Sequence, residues 1–133
     1  ARAAIRSAVA AGVTTVLDAG RWRPVFADLL PLAGHAVCSA DFRAPENVPP
    51  PPVVAVTDGA GPIRYRDRGV EGTVDVPAVP VVDTLGAGDV LHGAYAFAIA
   101  RGEAVAAMKA DGVIAPVGRG RGARWRRVTR EFE

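Results

Sequence analysis

The segment Asp83-Thr84-Leu85-Gly86-Ala87-Gly88-Asp89 gathers the residue types that phosphate chemistry needs. Two glycines around one alanine let the backbone approach a ligand closely and adopt conformations closed to other residues. The run that follows, Val90 to Ala100, is rich in small residues and nearly uncharged, and it reads as a helix. The first turn of a helix leaves N–H groups without intrahelical partners, and they carry the positive end of its dipole. A turn of this kind cradles an anion. Asp89 stands at the lip of the cradle, where a carboxylate can take a proton from an attacking hydroxyl while the N–H groups hold a phosphoryl group. No Gly-Lys-Ser or Gly-Lys-Thr occurs in the chain, which excludes a Walker loop. A plainer reading makes Gly86 and Gly88 a turn and Asp89 a helix cap. That reading leaves Asp83-Thr84 before the glycines, and Gly93-Ala94-Tyr95-Ala96 after them, without a role.

Strands and helices must position this turn. Residues 1–11 are Ala-rich, with Ile5, Ala8 and Val9 at helical spacing, and Gly12 stops the helix they imply. Val13 to Leu17 is an apolar, β-branched run, the pattern of a buried strand. Pro24 suits a first helical turn, and Val25, Phe26, Leu29 and Leu30 mark a second short helix. Trp22 is expected to pack against it. His35 to Cys38 reads as a small strand. Arg43 to Pro52 contains five prolines and is a loop, because proline removes a donor and fixes φ. Val53 to Thr57 is a strand, Asp58 to Pro62 a turn, and Ile63 to Arg66 the returning partner of a hairpin. Thr73 to Val82 reads as a second extended piece, and Ala104 to Ala110 as a last helix. Helices alternating with short apolar strands predict an α/β fold with a mostly parallel sheet.

The 133 residues suit one ordinary domain. Half of them are apolar, so a packed core is within reach of the composition. No run approaches the length of a membrane span, and no secretory leader is visible. The lone Cys38 excludes an internal disulfide, and a reducing, cytoplasmic setting is expected. The net charge of +2 is unevenly spread: residues 119–133 hold six arginines against Glu131 and Glu133, leaving ten basic and twelve acidic residues before them. A nucleic-acid domain spreads its basic residues over a folded face, so no nucleic-acid partner is expected. Residues 1–118 are read as the domain and 119–133 as a disordered basic tail, with RNA stacking on Trp125 as the lesser alternative. His92 reads as a packed or capping histidine, and Cys38 as a buried small hydrophobe.

The stretch VPAVPVVDTLGAGDVLHGAYAFAIARGE resembles the C-terminal signature of the ribokinase-like, or PfkB, family of carbohydrate kinases. That signature runs D-T-x-G-A-G-D-x-F-x-G-A, with Leu91 here in place of the usual Phe. VVAVTDGAG resembles the family's strand and turn V-T-x-G-x-x-G, and VTTVLDAGRWRP and HAVCSADF resemble two further strands of the same sheet. The resemblance implies part of a three-layer ribokinase-like sandwich that carries the nucleotide and catalytic-base half. It implies ATP-dependent phosphorylation of a hydroxyl on a sugar or sugar-like molecule. Asp89 would be the base, and Gly86, Ala87 and Gly88 the anion hole. Thr57, Gly59 and Gly61 would lie on the nucleotide side, and Asp83 and Thr84 beside the phosphates and a monovalent cation. ATP and Mg²⁺ are the implied cofactors. A catalytically inactive remnant of such a kinase is the alternative. Two departures stand out: the family's Asn-x-x-Glu element is absent near Ser39-Ala40-Asp41-Phe42, and the helix that members carry before the strand at Val53 is replaced by a Pro-rich stretch of 14 residues.

Overall fold

Three short runs of β-branched and small apolar residues pair side by side and set the architecture. The computed structural model describes residues 1–76, 78, 85–103, 115–117 and 124–126, the last two stretches by backbone alone. The chain divides into two units, Ala1–Val74 and Asp75–Glu133.

In the first unit, α1 (Arg2–Ala10) is followed by β1 (Val16–Ala19), α2 (Phe26–Leu29) with a 3₁₀ turn (Leu30–Leu32), and β2 (His35–Ser39). Then come β3 (Val53–Asp58), β4 (Gly61–Asp67) and β5 (Val70–Val74). The strands form one sheet in the order β1-β2-β3-β4-β5. β1, β2 and β3 run parallel, with His35 opposite both Val16 and Val53, while β4 and β5 extend the sheet as an antiparallel meander. The expected α/β class is present, as a mixed sheet.

Period-two alternation sorts the side chains between the two faces. Ala19, Ala36 and Cys38 share one face with the half-buried Leu17, Val54 and Val56, and Phe26 and Leu30 pack on it. Trp22, Phe26 and Phe42 close this layer as an aromatic trio, with centroids 5.2 to 6.1 Å apart and Phe42 edge-on to Phe26. Trp22 thus packs where expected. Ile5 of α1 joins Leu29 and Ala33 in a second cluster over Leu17. The opposite face presents the buried Val37, Val53 and Ala55.

Helix α1 stops at Gly12, whose φ of +68° only glycine adopts freely. The Gly12 N–H bonds Val9 O at 3.0 Å and the Val13 N–H bonds Ala8 O at 2.9 Å, a Schellman closure. The following strand begins at Val16, three residues later than the expected start at Val13, because this closure uses Gly12 and Val13. The extended piece expected at Thr73–Val82 is also displaced: its strand is Val70–Val74, and most of the remainder falls outside the described residues. The cause is a turn that the sequence does not announce. Arg68 and Gly69 take φ of +46° and +90°, both positive, between the paired Asp67 and Val70. Two positive φ values in a two-residue loop define a type I′ turn, usually written Asn-Gly or Asp-Gly. Beyond it, Tyr65 faces Gly72, and a Cβ at Gly72 would lie 2.5 Å from the Tyr65 hydroxyl.

In the second unit, α3 (Ala87–Ala100) buries Tyr95 and Ala98 and closes at Gly102 with the same motif, Glu103 N–H to Ala98 O at 3.1 Å. Ala115–Val117 (β6) pairs antiparallel with Arg124–Arg126 (β7), the latter inside the stretch expected to be disordered. The helix expected at Ala104–Ala110 lies outside the described residues.

Two measurements test this framework. A non-glycine residue in the left-handed region costs about 1–2 kcal/mol, and asparagine tolerates it better. Arg68→Asn is therefore expected to raise the thermal midpoint. A midpoint equal to or below that of the parent would contradict the type I′ turn. His35 is buried, and desolvation lowers its pKa from the ordinary 6.5, with nearby Asp67 opposing the shift and Arg68 adding to it. Below that ordinary value the unfolded chain binds the proton more readily than the folded one. Stability is thus expected to fall as pH drops through 6.5 and to level off, for this group, below the lowered value. Denaturant midpoints across this range should lose part of their slope in His35→Gln.

Candidate active site

The proposed anion cradle is a helix start. Gly86 precedes α3 with φ +79°, the left-handed turn that swings the chain into the helix axis. Ala87, Gly88 and Asp89 form its first turn, and the first helical bond runs from the Val90 N–H to Gly86 O at 3.1 Å. The N–H groups of Ala87, Gly88 and Asp89 precede that bond and point out of the helix end. Among the described residues, a Cβ at Gly88 would meet no atom within 4 Å outside its chain neighbours and the helix's own backbone. These features fit a phosphoryl group.

Asp89 is exposed on the third residue of the helix. One turn on, His92 Nδ1 lies 2.6 Å from Gly88 O, the carbonyl of the peptide that carries the Asp89 N–H. His92 thus bonds back to the carbonyl four residues earlier, within the first turn of α3. The i, i+4 spacing of Gly88 and His92 was its only trace in the sequence. Asp83 and Thr84 lie outside the described residues.

Thr57, Gly59 and Gly61 come together at the C-terminal end of β3, within the first unit. Gly59 takes φ +54° in the two-residue loop Gly59-Ala60, closed by the pairing of Asp58 with Gly61. A Cβ at Gly61 would approach Asp58 O to 3.0 Å, so the tight closure itself calls for glycine there. A register shift follows, and the extra residue falls on β4 at Pro62–Ile63. A bulge is where a strand tolerates proline.

The Thr57 hydroxyl donates to Cys38 O at 3.3 Å, and the Ser39 hydroxyl donates to Gly20 O at 2.5 Å. Each of these links ties the C-terminal end of one parallel strand to the end of its neighbour. This is the edge at which open α/β sheets bind ligands. Nothing in the residue spacing singled out Ser39 for this bracing role. Cys38 lies beneath it, and burial, reinforced by Asp18, pushes its thiol up to about 11, which keeps it protonated and inert. Among the described residues no cluster of three or more His, Cys, Asp or Glu side chains forms a metal site, and no helix is long and apolar enough to cross a membrane.

Comparison with known proteins agrees with this fold. A microbiome-derived acarbose kinase is 27% identical, with a TM-score of 0.64, over 77% of this chain and 40% of its own. A protein described as a ribokinase from Agrobacterium tumefaciens is 28% identical, with a TM-score of 0.63, over 77% of this chain and 39% of its own. A fructokinase with bound ATP from Xylella fastidiosa, at 22% identity and a TM-score of 0.61, shares the fold over 75% of this chain and 39% of its own. The chain therefore spans about 40% of the length of these structures. No curated protein sequence matches it. The model of the pfkB family carbohydrate kinases matches residues 43–113, more than half of the chain, in a stretch that holds both the β3 turn and the start of α3. The chain belongs to the pfkB family of carbohydrate kinases.

Proposed function

We propose that this chain holds the phosphates of ATP and supplies the base for phosphoryl transfer to a hydroxyl of a sugar or sugar-like molecule. The observation that carries the reading is the glycine-led start of α3 with an exposed carboxylate in its first turn, in a chain of this family. The N–H groups of Ala87, Gly88 and Asp89 stabilise negative charge on the transferred group where it develops, at no cost of reorganisation. Asp89 accepts the proton of the acceptor hydroxyl as that oxygen attacks. Thr57, Gly59 and Gly61 face the nucleotide, and Asp83 and Thr84 lie beside the phosphates and a monovalent cation. Bound ATP with Mg²⁺ supplies the phosphoryl group and offsets its charge. His92, through Gly88 O, fixes the peptide whose N–H closes the cradle. A sugar-like acceptor is favoured because similar structures are described as kinases of acarbose and fructose. Neither a nucleic acid nor a membrane takes part, and the inert buried thiol suits a reducing cytoplasm.

Two substitutions separate the roles, measured in a hybrid in which a compatible relative supplies the remainder of the kinase. Asp89→Asn is expected to lower turnover by ~10²–10⁴-fold, the loss typical of a general base, with nucleotide affinity little changed. A full rate in Asp89→Asn would remove the assigned base. Gly88→Val is expected to weaken both nucleotide binding and turnover, since its side chain enters the space over the anion-binding turn. The fold should survive it, because among the described residues a Cβ there meets no atom within 4 Å beyond its chain neighbours and its own helix backbone. Undiminished nucleotide affinity in Gly88→Val would displace the phosphates from α3.

A further inference from the structure

The connection between β2 and β3 leaves part of the sheet without a covering helix among the described residues of the first unit. Parallel neighbours are joined by crossovers that usually contain a helix lying on the sheet. Ala40–Pro52 contains none. Phe42 and Val48 from this stretch reach back to the Phe26 cluster. Past them, the same face continues over β3, β4 and β5 as an open groove of about 510 Å³. Val54 and Val56 form its half-buried floor. Arg66 stands opposite Val54 and Arg64 opposite Val56, and on β5 Glu71 and Thr73 stand opposite those two arginines. Among the described residues, neither guanidinium is held in an ion pair. Two arginines against one glutamate leave the rim positive.

We propose that this groove is the docking site for an acidic amphipathic helix supplied by another polypeptide. The dimensions agree: three strands about 4.8 Å apart span roughly 10 Å, close to the diameter of a helix with its side chains. The chemistry also agrees. A helix sets apolar residues on one face at i, i+3, i+4 and i+7, which rest on Val54 and Val56. Carboxylates flanking that face meet Arg64 and Arg66, whose planar guanidinium groups bind carboxylates in a bidentate fashion. The position is the one that a crossover helix occupies on a sheet of this kind. Among the described residues, no helix of a second copy suits the groove. Its α1 carries Arg2 and Arg6 and no carboxylate, and its α3 carries Asp89 alone.

The test uses the full chain and two fluorescein-labelled synthetic peptides of about 20 residues, long enough for appreciable helicity in isolation. Both carry leucines at i, i+3, i+4 and i+7. One has glutamates elsewhere and the other lysines. Titrations followed by anisotropy are expected to give an affinity for the glutamate peptide at least about tenfold above that for the lysine peptide, and the double variant Arg64→Glu/Arg66→Glu should reverse the order. Val56→Ser should weaken both peptides alike. Circular dichroism establishes that each variant is folded, and the parent titration decides the question by itself should one fail to fold. No binding of the glutamate peptide at millimolar concentration, equal affinity for both peptides, or a preference that survives the charge reversal would each overturn the proposal. A dimer of the parent chain that the charge reversal dissolves would also overturn it, by making a second copy the occupant.

Discussion

Parallel pairing of β1, β2 and β3 is the constraint from which the rest of the first unit follows. Antiparallel strands can be joined by two residues, as β3–β4 and β4–β5 are, but parallel ones require the chain to travel back along the sheet. The β1–β2 connection does so over Gly20–Gly34 and fits in a single turn of α-helix and a 3₁₀ turn. Those few helical residues bury Phe26, Leu29 and Leu30. The β2–β3 connection is shorter and holds five prolines, and its extended course provides Phe42 and Val48 as plugs rather than a layer. Among the described residues of the first unit, one face is therefore well covered near β1 and progressively bare toward β5. The aromatic trio sits at the covered end and the arginine-rimmed groove at the other.

The strand ends repeat this economy in polar form. Hydroxyls of Ser39 and Thr57 each bond the backbone carbonyl of a residue 19 positions earlier, so β1, β2 and β3 are stitched at their C-terminal ends. A side chain–backbone link of this type contributes on the order of 1 kcal/mol. Its placement matters more than its size. It holds still the edge from which the β3 turn projects, and a turn that carries Thr57, Gly59 and Gly61 can act on a ligand only if its base does not shift.

What could be read from the residues alone follows physical lines. The strand Val53–Asp58 and helix α3 were legible because each is long enough for its own periodicity and is bounded by glycine or proline. The start of β1 was not, because the Schellman closure after α1 takes residues that read as strand. The type I′ turn at Arg68-Gly69 was hidden for a different reason: its first residue is an arginine in a conformation that arginine disfavours. The two strands it joins override that preference through cross-strand pairing. The glycine-led start of α3, where we propose the anion cradle, was legible because a left-handed turn into a helix leaves a mark in glycine spacing. His92 and Ser39 leave no such mark. Their roles are contacts to carbonyls, which any donor in the right place can make.

The glycines sharpen this distinction between structural and chemical demand. At Gly61 and Gly72 the fold itself crowds a side chain: a Cβ would lie 3.0 Å from Asp58 O in the first case, and in the second the Tyr65 ring, with its hydroxyl 2.5 Å away, would have to swing aside. Gly86 needs its left-handed φ to begin α3. Gly88 satisfies neither condition: it lies inside a helix, with no positive φ and, among the described residues, no atom outside its chain neighbours and its own helix backbone within 4 Å of a Cβ. Glycine in a helix is about 0.8–1 kcal/mol less favourable than alanine, and in the first turn of α3 nothing in packing or conformation offsets that cost. Gly93 stands in the same position further along the helix, and nothing in the structure explains it. For Gly88 the cradle supplies a reason. A side chain would stand beside the same free N–H groups that make the helix end attractive to an anion, and removing it leaves those donors uncovered. The residue that weakens the helix is the one that opens its charged end.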